Sequence, residues 1–121
     1  MIKYKIRLSK TKKPYPIIEF SNRANAPIGS FLLAERAMIS QIIAVLTAES
    51  EEADAPLSIS GNVYTLTVAG DNSTITDDIA ESDFVCPTQD LREIAMAYKA
   101  AIPQKTRTAA PKPPLEDTKN R

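Results

Sequence analysis

The chain has 121 residues, 43% of them hydrophobic, and 15 Lys plus Arg balance 15 Asp plus Glu to give a net charge of zero. That length suits one domain burying about two thirds of its unfolded surface, and the charge balance gives no bulk drive toward nucleic acid or an anionic membrane. Histidine is absent and Cys86 is the sole cysteine, which excludes His-dependent nucleophile systems, His metal sites and an intrachain disulfide, so a reducing compartment is expected.

From the N-terminus, Ile2, Tyr4, Ile6 and Leu8 alternate with Lys3, Lys5 and Arg7. This is the two-residue period of a strand with one buried face, and a first strand is expected over residues 2–8. Pro14 and Pro16 interrupt the ladder before a short second strand at 17–20. Loop chemistry through Ala26 leads to Pro27, whose fixed φ suits a first helical turn. Ile28, Phe31, Leu32, Met38, Ile39, Ile42, Val45 and Leu46 then recur at three- and four-residue steps, which predicts a long core helix over 28–48. Glu35 lies near that stripe, either as a buried functional carboxylate or as a side chain at its margin.

The stretch LSISGNVYTLTVAGDNSTITDDI, from Leu57 to Ile79, is three strands separated by two turns. Gly61-Asn62 and Gly70-Asp71-Asn72 supply residues that accept the positive φ of tight hairpins. Strands at 57–60, 63–69 and 73–79 put Leu57, Ile59, Tyr64, Leu66, Val68, Ile75 and Ile79 on one face. Ser58, Ser60, Thr65, Thr67, Thr74, Thr76 and Asp78 take the other. Phe84, Val85 and Cys86 lead through Pro87 to Thr88, a suitable N-cap with Asp90 in the first turn. Leu91, Ile94, Ala95, Tyr98 and Ile102 mark one face of a final helix over 89–102, which Pro103 stops. Cys86 has apolar neighbours and no nearby cation, so it reads as a small buried hydrophobe.

The expected fold class is therefore α+β, an antiparallel sheet of about five strands backed on one face by a long helix and a C-terminal helix. One domain would cover residues 1–102, and the proline-rich residues 103–121 are expected to be a disordered tail.

Charge is segregated along the chain. Residues 1–13 carry six basic side chains and no acidic one, whereas residues 49–93 carry eleven acidic side chains and a single basic one, Arg92. Glu49, Glu51, Glu52 and Asp54 follow the core helix at its carboxyl end, where the helix dipole disfavours negative charge. A second group comprises Asp71 in a hairpin turn and Asp77, Asp78, Glu81 and Asp83 after the third meander strand. The two acidic groups bracket one small sheet and are expected to form one surface.

No catalytic or cofactor motif is legible. Gly29, Gly61 and Gly70 cannot make a phosphate cradle, and Asp71 to Asp78 lacks the spacing of a calcium loop. Asp77 and Asp78 are adjacent on a strand and point to opposite faces, so they would not converge as a carboxylate pair. No enzyme activity and no cofactor are expected. The stretch from Ile28 to Leu46 is broken by Glu35, Arg36, Ser40 and Gln41, and MIKYKIRLSK lacks a continuous apolar run, so neither a membrane span nor a secretory signal is expected.

The order of a short basic strand, a second strand, a long apolar helix, the meander GNVYTLTVAGDNSTI and a terminal helix opening with PTQDLREIAMAY resembles small immunity proteins of bacterial contact-dependent growth inhibition and related polymorphic toxin systems. The likeness is one of overall pattern across residues 1–102. It implies a cytoplasmic antitoxin that binds the C-terminal domain of a cognate toxin, commonly a nuclease, and neutralises it by occlusion. A nuclease must be basic to hold phosphate, so its inhibitor gains from carboxylates that steer association. On that reading Glu49, Glu51, Glu52, Asp54, Asp71, Asp77, Asp78, Glu81 and Asp83 include the toxin-binding surface, with exposed aromatics as anchors. The alternative is a small RNA-binding or ribosome-associated regulator using Lys3, Lys5, Arg7, Lys10, Lys12 and Lys13.

Overall fold

Alternating side chains and glycine-bearing turns make neighbours in sequence into neighbours in the sheet. The computed structural model describes residues 2–48 and 55–103. Its elements run β1 (Tyr4–Leu8), β2 (Pro16–Phe20), α1 (Ala26–Ala34), α2 (Ile39–Thr47), β3 (Leu57–Ser60), β4 (Tyr64–Ala69), β5 (Asn72–Asp77), β6 (Ser82–Pro87) and α3 (Thr88–Ala101). The architecture is α+β. The expected tail from residue 104 onward lies outside the described residues.

The strands do not form one five-stranded layer. β1 and β2 pair only with each other, Ile6 opposite Ile18, and a separate antiparallel sheet has the order β3-β4-β5-β6. Its fourth member, β6, is absent from the sequence-based reading. Phe84 and Cys86 turn toward the core while Asp83 and Val85 face out, an alternation hidden by its brevity and by the proline that ends it. Pro87 is tolerated because β6 is an edge strand.

The expected single helix is also two. α1 and α2, each extended by a short 3-10 turn, meet at 72° around Glu35. Glu35 leaves helical geometry at φ −109 and ψ 25, and its N–H still bonds to the Phe31 carbonyl at 2.9 Å. The apolar stripe continues through the bend: Ile28, Phe31 and Leu32 of α1 and Ile39, Ile42 and Leu46 of α2 are all buried. Arg92 of α3 donates to the Leu46 carbonyl at 3.3 Å, satisfying the end of α2. No single helix among the described residues is long and apolar enough to cross a membrane.

The core fills the space between the helices and the inner face of the four-stranded sheet, where Leu66, Val68, Ile75 and Cys86 meet Leu91, Ile94, Ala95 and Tyr98 of α3. Burial pushes the Cys86 thiol up to about 11, with Asp90 adding to the shift, so the thiol stays protonated near neutrality. Thr88 is not an N-cap. α3 starts on it after Pro87, and its hydroxyl donates to the Gly70 carbonyl at 3.0 Å while lying 2.8 Å from Ser73 Oγ. The Thr88 N–H donates to the Asp71 carbonyl at 2.8 Å, so the β4–β5 turn is tied to the start of α3.

The β1–β2 hairpin is joined to the rest by Tyr98, whose buried hydroxyl donates to the Pro16 carbonyl at 2.9 Å. Tyr98→Phe removes this one hydrogen bond without changing ring packing and should lower unfolding free energy by about 1 kcal/mol, read as a lower urea midpoint at constant slope.

Candidate binding surface

The four-stranded sheet has one covered face and one open face. Across the open face, β-ladder register aligns Ser60, Thr65, Thr76 and Asp83 in one row and Ser58, Thr67, Thr74 and Val85 in the next. β-branched threonines suit strands, and their hydroxyls here act as local donors. Thr76 Oγ1 donates to Asp83 Oδ1 at 2.7 Å, and Thr65 Oγ1 donates to Asp78 Oδ2 at 2.8 Å.

β5 stops at Asp77 rather than at Ile79, because Asp77 builds a tight turn. Its Oδ1 accepts from the N–H groups of Ile79 and Ala80 at 3.0 and 2.9 Å, and its carbonyl accepts from the Glu81 N–H at 2.7 Å. Closing this turn places Glu81 at φ 58, a left-handed conformation that disfavours any side chain. Ile79, expected in the core, stands in the turn at 78% exposure. The β5–β6 hairpin end thus carries Asp77, Asp78, Glu81 and Asp83 around an exposed isoleucine.

These four carboxylates are brought together, but the nine candidates do not form one surface. Asp71 sits in the β4–β5 turn, at the opposite end of the six-residue strand β5. A rise of about 3.3 Å per residue puts roughly 20 Å between them. Glu49, Glu51, Glu52 and Asp54 lie outside the described residues, and the chain re-enters at Leu57, which pairs with Val68 near the Asp71 end. Asp77, half-buried and committed to its turn, serves geometry more than recognition.

Among the described residues Arg7 with Glu19, at 2.9 Å, is the one salt bridge. The acidic end of the sheet is held by neutral hydroxyl and amide donors alone, so its charge remains available to a partner. On the other side, Lys3 just ahead of β1 and Lys5 on it are exposed, while Arg7 is engaged with Glu19. No three His, Cys, Asp or Glu side chains among the described residues converge as a metal site.

Glu35 behaves differently from every other carboxylate. It is 1% exposed, and it clasps the β3–β4 turn: the Asn62 N–H donates to Oε1 at 2.8 Å, and the Val63 and Tyr64 N–H groups donate to Oε2 at 2.7 and 3.0 Å. Burial by itself raises its pKa, but the amides of Val63, Asn62 and Tyr64 together outweigh that and hold it below the ordinary 4.5. The Val63 carbonyl in turn accepts from the Asp78 N–H at 2.8 Å, so the clasp positions the acidic hairpin. Glu35 is a structural carboxylate, neither marginal nor placed for chemistry on a ligand.

A depressed folded-state pKa means that this stabilisation is fully present above the ordinary glutamate value and is lost as pH falls through the lower folded value. Stability of the parent chain should therefore fall as the medium is acidified below the ordinary glutamate range, and in Glu35→Gln the same titration should be visibly flatter by urea denaturation.

Two features of this surface were missed in sequence: the exposure of Ile79, and Val85 at 60% exposure on the edge strand. A two-carboxylate turn before SDFVCP, whose alternation signals a short strand, was the available cue. The chain matches no protein-family model, no curated protein and no solved structure.

Proposed function

We propose that the chain is a cytoplasmic immunity protein that binds the basic C-terminal domain of a bacterial toxin and occludes its active site, without catalysis of its own. The observation that carries this reading is the uncompensated acidic hairpin. Asp78, Glu81 and Asp83 project from a fixed turn, paired with no cation among the described residues, beside the exposed side chain of Ile79. An apolar anchor ringed by carboxylates suits a basic, phosphate-binding partner, with charge accelerating encounter and the anchor slowing release. The left-handed backbone at Glu81 adds weight, since glycine would fit that position without strain. The competing RNA reading draws on β1, where Arg7 is already neutralised by Glu19.

Co-expression with the C-terminal domain encoded by a neighbouring large secreted-protein gene tests the proposal. The parent chain should protect growth and form a complex on gel filtration. The triple variant Asp78→Lys, Glu81→Lys, Asp83→Lys leaves the Asp77 turn intact and should slow association by roughly tenfold or more, an effect that shrinks as salt is raised. Equal association by the folded triple variant would refute the acidic surface. Salt-sensitive binding to a short RNA, lost in Lys3→Ala, Lys5→Ala, would favour the alternative.

A further inference from the structure

A cleft of about 600 Å³ opens where the β1–β2 loop, the bend between α1 and α2 and the end of α3 come together. Pro14 and Pro16 form one wall, Ala34 and Ala37 the second, and Ile102 with Pro103 the third. Lys13 and Arg36 are the two charged residues in the lining, which contains no carboxylate. Neither forms a salt bridge among the described residues. A concave, mostly apolar site of this size with a few fixed polar groups suits a small molecule.

Local bonds hold the cationic side of the cleft in place. Arg36 follows the bend at Glu35; its Nη1 donates to the Leu33 carbonyl at 2.6 Å, and its guanidinium lies over the Tyr15 ring, 5.0 Å from the centroid. Tyr15 is fixed in turn. Its N–H donates to the Ser9 hydroxyl at 3.0 Å, and its carbonyl accepts from the Ser9 N–H at 2.9 Å. The Thr11 hydroxyl, 3.0 Å from Ser9 Oγ, donates to the Lys13 carbonyl at 3.1 Å, so the backbone carrying Lys13 belongs to the same network. Among the described residues only Nη1 of Arg36 is engaged as a donor. Its Nε and Nη2 remain, a planar two-donor edge that matches the two oxygens of a carboxylate.

We infer that this cleft binds a small organic carboxylate with an apolar body, its head group on Arg36 and its hydrocarbon against the prolines, alanines and Ile102. The cleft shares no residue with the acidic hairpin, so the inference stands apart from the immunity reading. Charge and surface together set the ligand class. Two cations without a carboxylate favour an anion over an amine, and the six apolar residues favour a hydrocarbon body over a bare inorganic ion. Lys13 adds a point charge, whereas the guanidinium fork of Arg36 gives direction.

Phenylbutyrate is a suitable probe, with phenylbutyramide as the neutral control and inorganic phosphate as the anion without an apolar body. Titrated into the full chain, phenylbutyrate should shift the amide NMR resonances of Tyr15, Arg36, Ala37 and Ile102 saturably, and both controls should bind at least about tenfold more weakly. Arg36→Met keeps an apolar stem and should weaken binding by about tenfold or more, while Arg36→Lys, which retains charge but loses the fork, should fall between. If Arg36→Met fails to fold, the comparison of phenylbutyrate with its amide in the parent chain decides. Equal binding of the amide or of phosphate overturns the site, as does undiminished binding by folded Arg36→Met. Movement of the Tyr15 and Arg36 resonances in a ligand-free Glu116→Gln, Asp117→Asn chain would also overturn it, by assigning the cleft to the chain's own residues beyond Pro103.

Discussion

Glu35→Ala should lower the unfolding free energy by about 4 kcal/mol, a large fraction of the 5–15 kcal/mol typical of a domain this size. The carboxylate accepts three main-chain hydrogen bonds from consecutive residues of the β3–β4 turn, each charge-assisted. Truncation strands those amides and leaves a void beside Phe31 and Tyr64, whose rings meet edge to face at 5.8 Å. A hydrogen bond to a charged group is worth about 1.5–3 kcal/mol, and the three are not additive, which sets the figure. Glu35→Gln keeps the volume and one or two of the bonds and should cost about 2 kcal/mol. Urea denaturation of the three chains at neutral pH checks the order. A loss below about 1 kcal/mol in the alanine variant would show that the clasp does not hold the turn.

Gly61→Ala is the second large effect, at about 2–3 kcal/mol. A methyl group built on Gly61 would overlap the Glu35 carboxylate, so either the carboxylate leaves its amides or the turn shifts. Glycine is required here by close approach. The two substitutions share one cause and should not add: with alanine already at position 35 the space is vacant, and Gly61→Ala should cost little. A double-mutant cycle should return a coupling of at least about 1.5 kcal/mol. Simple additivity would place the strain elsewhere in the turn.

The same pair shows what could be read without coordinates. Spacing alone put Ile28, Phe31, Leu32, Ile39, Ile42 and Leu46 in the core, because burial follows periodicity whether the helix is straight or bent. It could not place the bend, since no proline or glycine marks it. The cause is tertiary: Glu35 falls in phase with the apolar positions and finds its donors in a turn 27 to 29 residues away. The meander strands β3, β4 and β5 were legible because alternation and turn residues agree over short distances. β6 was not, because six residues ending in proline carry too little periodicity beside a strong helix signal. For the surface, composition revealed an acidic region but not that Asp71 and the 77–83 group sit at opposite ends of a strand. That follows from chain direction in a hairpin, and counting residues from the Gly70 turn would have exposed it.

The wiring of the sheet has a kinetic consequence. Every ladder within β3-β4-β5-β6 joins consecutive strands, so each pairing closes only a short loop at small entropic expense. The Tyr98 hydroxyl and the Pro16 carbonyl, by contrast, are 82 residues apart. Assembly thus divides into a fast, local zippering of the meander and a slower joining of the N-terminal hairpin to the last helix, a contact that must await that helix. A ribosome delivers these pieces in the opposite order, so the basic first strand emerges well before the helix whose tyrosine is bonded to its hairpin.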